Sequence, residues 1–205
     1  MMNKQRNNAA RVRLVCLTAI AAGSVVFTGC STVPDTPRGR SELTNDSTGA
    51  YRDFLTRDPG LGDLLKKSRA YAIFPAIGRG AVVFGGSYGQ GEVWANGKQI
   101  GFTDVTAATF GASVGGQSYA QLIVFRTPQA LERFQTGQLT FNANASAVAV
   151  RAGAAQQAKW DDDVAVFIDP KGGFMADASI GGQKFNFTAF PAPESGFAAS
   201  DTGTR

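Results

Sequence analysis

The 205-residue chain has no histidine and only two cysteines, Cys16 and Cys30. The first absence removes Ser/His/Asp and Cys/His nucleophilic sites together with imidazole-ligated metal centres. The second removes a disulfide framework, so a folded domain has to be stabilised by its core. No Gly-Lys-Ser/Thr sequence follows any of the glycine-rich stretches, as a phosphate-cradling loop requires. Carboxylate pairs and Ser/Lys sites remain formally open, but no nucleophile–base set is visible. The chain is expected not to be an enzyme, and no metal or cofactor is expected. The long apolar run, Leu14 to Phe27, is too short for a membrane span, which needs roughly 20 apolar residues.

What surrounds that run is informative. Lys4, Arg6, Arg11 and Arg13 precede it, Thr28 and Gly29 close it, and Cys30 is followed by polar sequence containing Pro34. A basic segment, a short apolar segment and small residues at the end make a secretory signal over residues 1–29. Phe27-Thr28-Gly29-Cys30 resembles the lipobox of bacterial lipoproteins, with Phe27 where Leu or Val is usual. The resemblance implies that Cys30 is acylated (diacylglyceryl and palmitate-type chains) and becomes the first residue of the mature protein, leaving no free thiol. Ser31 rather than aspartate after the cysteine suggests outer-membrane sorting. An ordinary signal peptide with a chance cysteine is the alternative.

The signal also accounts for the charge. The whole chain has 20 Lys/Arg against 16 Asp/Glu and a pI near 9.3. Four of those cations lie before residue 30, so the remainder is balanced at 16 against 16. Global charge therefore gives no reason to expect a nucleic-acid partner, and electrostatic binding has to come from a local patch.

Residues 30–45 read as the lipidated cysteine and a polar tether, residues 46–190 as the folded domain, and residues 191–205 as a disordered tail. Tyr51, Phe54 and Leu55, then Leu61, Leu64 and Leu65, recur at helical spacing on either side of Asp58-Pro59-Gly60, which predicts two short helices or one broken one. From Ala70 the period is two. Glu92 to Phe102 with Asn96-Gly97 at its centre predicts a hairpin with a type I′ turn. Tyr119 to Arg126 reads as a strand. Thr127-Pro128 opens a short helix that Gly137 ends. Leu139 to Val150 reads as a strand, and Asp169-Pro170-Lys171-Gly172-Gly173 as the turn of a second hairpin between Val164–Ile168 and Phe174–Ile180. Gln183 to Phe190 closes the domain. The expected class is α+β, mostly β: an antiparallel sheet, with a barrel-like form open, short N-terminal helices and one central helix.

Ala112-Ser113-Val114-Gly115-Gly116-Gln117 recurs as Ala178-Ser179-Ile180-Gly181-Gly182-Gln183, and Gly85-Gly86-Ser87-Tyr88-Gly89-Gln90 is a looser third copy. Glycines between strand-like segments suit bulges and sharp bends.

In order along the chain, Ala72-Ile73-Phe74-Pro75, Gly85 to Gly91, Phe110 to Gln117, Leu122 to Phe125, Ala130 to Phe134, Asn144 to Ala147 and Lys171 to Ala176 resemble the SYLF domain family over Ala70–Phe190. The family pattern has a Gly-Pro-Val-Gly-Arg-like stretch where this chain has Val150-Arg151-Ala152-Gly153. The resemblance implies binding of membrane phospholipid, phosphatidylinositol types in eukaryotic members, and actin binding in a fungal branch.

Lys66, Lys67, Arg69 and Arg79 form the candidate membrane contact, because polybasic residues gain roughly 1 kcal/mol each near an anionic surface. A solvated helix end suited to the helix dipole explains the same lysines. The apolar face of Tyr51, Phe54, Leu61, Leu64 and Leu65 can insert into lipid or pack in the core. Asp161, Asp162 and Asp163 read as an exposed turn rather than a calcium site, having no EF-hand spacing. Trp94 and Trp160 fit interface or hairpin packing. The expected protein is a lipid-anchored component of the bacterial envelope whose domain binds phospholipid. The alternative is a structural module that binds another envelope protein through its sheet.

Overall fold

Thr36 and Pro37 start the first helix. In the computed structural model, which describes Pro34 and residues 36–81, 84–139 and 147–190, the Thr36 hydroxyl accepts a hydrogen bond from Gly39 N at 3.0 Å and Pro37 occupies the first turn. Helix α1 spans Pro37–Arg57, so residues 37–45, expected in the tether, are helical. Their composition is polar because only one narrow stripe is covered: Leu43, Ser47, Ala50 and Phe54, spaced at three and four residues. Asp58 separates α1 from α2, Gly60–Lys67. Its carboxylate accepts from Gly60 N at 3.1 Å and from Ala155 N at 2.6 Å, joining the helix break to a 3₁₀ turn at Ala155–Gln157.

Strand makes up 49% of the chain, which settles a mostly β member of the α+β class. The strands are β1 Ala70–Ala81, β2 Phe84–Ala95, β3 Lys98–Phe125, β4 Val148–Ala149 and β5 Val164–Ala189, with helix α3, Pro128–Gln135, between β3 and β4. Their register is that of nested arches. β3 ascends along β2 (Ala95↔Lys98 to Phe84↔Phe110) and then descends along β1 (Ala81↔Gly115 to Ala70↔Phe125), so it folds over the β1–β2 hairpin. β5 follows β3 along its whole outer side, from Phe125↔Val164 to Gly101↔Ala189. Counting the two limbs of β3 and β5 separately gives a seven-strand sheet that is not closed. It is mixed rather than wholly antiparallel, because β4 pairs in parallel with β5.

One sequence expectation changes. Asp169 to Gly173 forms no hairpin: β5 continues through it, and the register passes from Ser118↔Gly172 to Tyr119↔Pro170, leaving Lys171 as the extra residue of a bulge. Proline and glycine there mark a bulge inside a strand, the other context in which both are tolerated. Pro75 lies inside β1, where a register shift between Ile73 and Ala76 accommodates its missing N–H. Among the described residues of the strand expected over Leu139–Val150, Val148–Ala149 are strand and Leu139 is coil. Residues 140–146, like the signal segment, Cys30 and the tail from 191, lie outside the described residues.

The expected turns hold. Asn96 and Gly97 have φ of 51° and 73°, as a type I′ turn requires. Thr127 caps α3 by accepting from Ala130 N at 3.3 Å, and Gly137 follows the helix at φ 68°.

Period-two alternation sorts the core onto two faces. Ala70, Ala72 and Phe74, Ile123 and Phe125, Val164 and Val166 point to one side, where Phe134 of α3 and Phe185 meet them. Phe134 and Phe185 rings lie 5.2 Å apart, and Phe185 lies 5.9 Å from Phe74. Ile73, Leu122 and Val124, Ala165 and Phe167 point to the other side, under Phe54 of α1 and Leu61 of α2. Phe54 and Leu61 are fully buried, so the apolar helix face considered for lipid insertion is core. On the concave side, Gln121 and Gln183 exchange two hydrogen bonds at 3.0 and 3.1 Å. These residues are not register partners, so their contact links opposite limbs of the arch.

Candidate ligand cleft and basic end

Helix α1 brings polar side chains onto the sheet. Ser47 sits in the buried stripe of α1, Tyr51 flanks it, and both face Tyr71 and Ile73 of β1 and Glu92 and Trp94 of β2 across a cleft of about 210 Å³. The rings form a ladder: Tyr51 and Tyr71 centroids are 5.6 Å apart at 26°, and Tyr71 and Trp94 are 6.4 Å apart at 4°. Glu92, fully buried, accepts from the Thr44 hydroxyl at 2.6 Å and from Trp94 Nε1 at 3.3 Å. Among the described residues, no cation lies within ion-pair distance of Glu92. The Ser47 hydroxyl, on a residue 2% exposed, has no hydrogen-bond partner among them either. Burial, with the neighbouring Tyr51 and the Glu92 charge, pushes the Tyr71 phenol far up, so it remains a neutral donor.

One end of the sheet is basic. Lys66 and Lys67 occupy the last turn of α2, where the helix dipole favours cations. Arg69 directly precedes β1 and donates to Asn96 Oδ1 at 3.3 Å, which brings the β2–β3 turn and Lys98 alongside. All four cations are exposed. Lys66 meets Asp63 at 3.3 Å, while Lys67 and Lys98 make no ion pair among the described residues. Sequence reading missed Lys98 because its neighbourhood depends on strand pairing. Arg79 does not join this group. It lies at the far end of β1, roughly 30 Å along the strand at about 3.3 Å per residue, and is half-buried. There it helps surround Tyr119, whose phenol is pushed up by burial against the opposing pull of Arg79 and of hydrogen bonds with Gln183 and Ser87.

The remaining candidates serve the fold. Asp162 and Asp163 form a turn with φ of 48° and 65° leading into β5, and Asp163 accepts from Thr127 Oγ1 at 3.2 Å and meets Arg126 at 3.8 Å. The Arg126 guanidinium stacks 3.8 Å above the Trp160 ring. Lys171, at the β5 bulge, bridges Asp53 of α1 at 2.6 Å and buried Asp169 at 3.1 Å, and Arg57 reaches Asp169 at 3.2 Å.

An open, arched sheet with α1 and α2 on one face and α3 on the other defines an α+β, mostly β domain. Residues 106–188, from the ascending limb of β3 almost to the end of β5, match the family Ysc84, described as Las17-binding protein actin regulator, consistent with a SYLF-family domain. A domain of this family fits a lipid- or actin-binding module. No curated protein matches the chain.

Proposed function

We propose that the chain is a non-enzymatic, lipid-anchored envelope protein, acylated at Cys30, whose SYLF-family domain binds membrane phospholipid through its basic end. The observation that carries this reading is the exposed cluster of Lys66, Lys67, Arg69 and Lys98, which gathers a helix end and a hairpin turn onto one surface. Cations beside an anionic leaflet contribute roughly 1 kcal/mol each, so four together give a usable affinity. Arg79, remote from the cluster, is not part of the proposed contact. The anchor already holds the chain at one membrane, so domain affinity serves recognition of a particular lipid or of a second membrane within reach.

The test is flotation of the C30S chain with vesicles of neutral lipid, of phosphatidylglycerol and of phosphatidylinositol types. Recruitment by anionic vesicles, lost in K66E/K67E/R69E, is expected. Equal flotation of the triple variant would sink the basic-end contact.

A second reading rests on the open sheet. The descending limb of β5, toward Ala189, pairs with β3 on one side only among the described residues, so its outer edge can accept a strand from another envelope protein. Absence of recruitment by every lipid composition would favour that reading.

A further inference from the structure

We infer that the cleft between α1 and the β1–β2 hairpin is a site for a small organic ammonium group, of the ethanolamine or choline class. A buried carboxylate is ordinarily paired with a cation or heavily hydrogen-bonded. Glu92 is fully buried and receives two hydrogen bonds, from Thr44 and Trp94, with no protein cation beside it among the described residues. It lines an opening together with three aromatic side chains, Tyr51, Tyr71 and Trp94, and the faces of Tyr and Trp attract cations through the ring quadrupole, most of all where water is excluded. Tyr51 stacks on Tyr71 and Tyr71 lies parallel to Trp94, so the three rings brace one another along the lining. The unpartnered Ser47 hydroxyl adds a polar group for the hydroxyl or ester oxygen that follows the ammonium in both headgroups.

Size agrees with this ligand. The cleft of about 210 Å³ has room for a small headgroup. Position agrees as well, because Tyr71 lies two residues along the chain from Arg69 of the basic end. A zwitterionic headgroup with its ammonium in the cleft therefore has its phosphate on the cationic side. The ammonium site stands on the cleft alone, and only its connection to a membrane rests on the phospholipid reading.

The cleft contains one of the chain's two tryptophans, so a W160F chain reports Trp94 alone. Titration with choline and ethanolamine at constant ionic strength is expected to give a saturable change in Trp94 emission. The neutral isostere of choline, 3,3-dimethylbutan-1-ol, is expected to bind at least tenfold more weakly, and E92Q to lose at least tenfold of the choline affinity. Equal responses to choline and the alcohol in the unaltered cleft would overturn the proposal even if E92Q does not fold, as would a response no larger than that to sodium chloride.

Vesicles separate the two sources of the ammonium. If phosphatidylethanolamine added to phosphatidylglycerol strengthens flotation and E92Q removes only that increment, the ligand is a lipid headgroup. If soluble amines bind and phosphatidylethanolamine adds nothing, the ligand is a free amine. Failure of phosphatidylglycerol alone to recruit the chain counts against the basic end and leaves the soluble titration to decide the cleft.

Discussion

Lys171 Nζ lies 2.6 Å from Asp53 Oδ2, tying the extra residue of the β5 bulge to the C-terminal part of α1. The same ammonium sits 3.1 Å from Asp169, whose carboxylate is fully buried. The two arms are unequal. Asp53 is about half exposed, so its pair is screened and contributes little, whereas Asp169 loses a counter-charge in a dry site if the lysine goes. K171M is therefore expected to destabilise the domain by about 1–3 kcal/mol, less than an isolated buried charge would cost because Arg57 remains 3.2 Å from Asp169. D53N should cost under about 1 kcal/mol. Urea midpoints at neutral pH check both, and a D53N loss equal to that of K171M would show that the exposed arm carries the clamp.

The clamp also sets a pH dependence. Burial pulls the Lys171 amine down, but hydrogen bonds to Asp53 and Asp169 and their charges outweigh it, so its pKa is raised above 10.5. A raised pKa contributes stability that is complete below the unfolded value and lost as pH rises through the folded one. The Lys171 hydrogen bond and charge hold Asp53 below 3.8, so its contribution is present above that value and lost as pH falls through the depressed one. The melting temperature should fall above about pH 10.5 and, more shallowly, below about pH 3.8. K171M should flatten both limbs, and an unchanged alkaline limb would assign it to other groups.

Much of this arrangement was legible in the sequence where the signal is local. The Asn96-Gly97 turn, the Thr127-Pro128 helix start and the period-two faces of β1 and β3 follow from side-chain chemistry within a few residues. What was hidden depends on distant partners. The buried stripe of α1 is only four residues wide in an otherwise polar segment, so its first turns looked like tether. Pro170 and Gly172 look alike in a turn and in a bulge, and only pairing with Ser118 and Tyr119 distinguishes them. Lys66, Lys67 and Arg69 lie together because they are near neighbours in sequence, Arg79 follows ten residues later and sits at the far end of β1, and Lys98 needed the hairpin register. Glu92 and Trp94 lay inside a recognised hairpin, but their cleft exists only once α1 covers them.

The glycines of the strands separate into two kinds that substitution can distinguish. A Cβ on Gly91 would collide with the Ile73 carbonyl oxygen and come within 2.8 Å of the Phe74 ring, opposite the Pro75 bulge. A Cβ on Gly78 meets nothing within 4 Å. G91A is expected to cost about 3 kcal/mol through overpacking of backbone against backbone. G78A should lie within about 0.5 kcal/mol of the parent, on the stabilising side, because alanine narrows the unfolded ensemble. Chemical denaturation of the pair decides it, and equal losses would mean that the glycines matter for flexibility rather than for close approach.

The proposed anchor has its own test, independent of the domain. Acylation at Cys30 predicts that the chain recovered from membranes begins at that residue and carries a lipid-sized mass increment, with the peptide containing Ser31 to Arg38 shifted in mass spectrometry. Two or more acyl chains give attachment that salt does not reverse, since each buried CH₂ contributes about 0.8 kcal/mol. C30S should accordingly move from the salt-washed membrane fraction to the soluble fraction. If C30S stays membrane-bound after a high-salt wash, the anchor lies elsewhere. If the recovered chain begins at another residue with no added mass, the cysteine belongs to an ordinary signal segment.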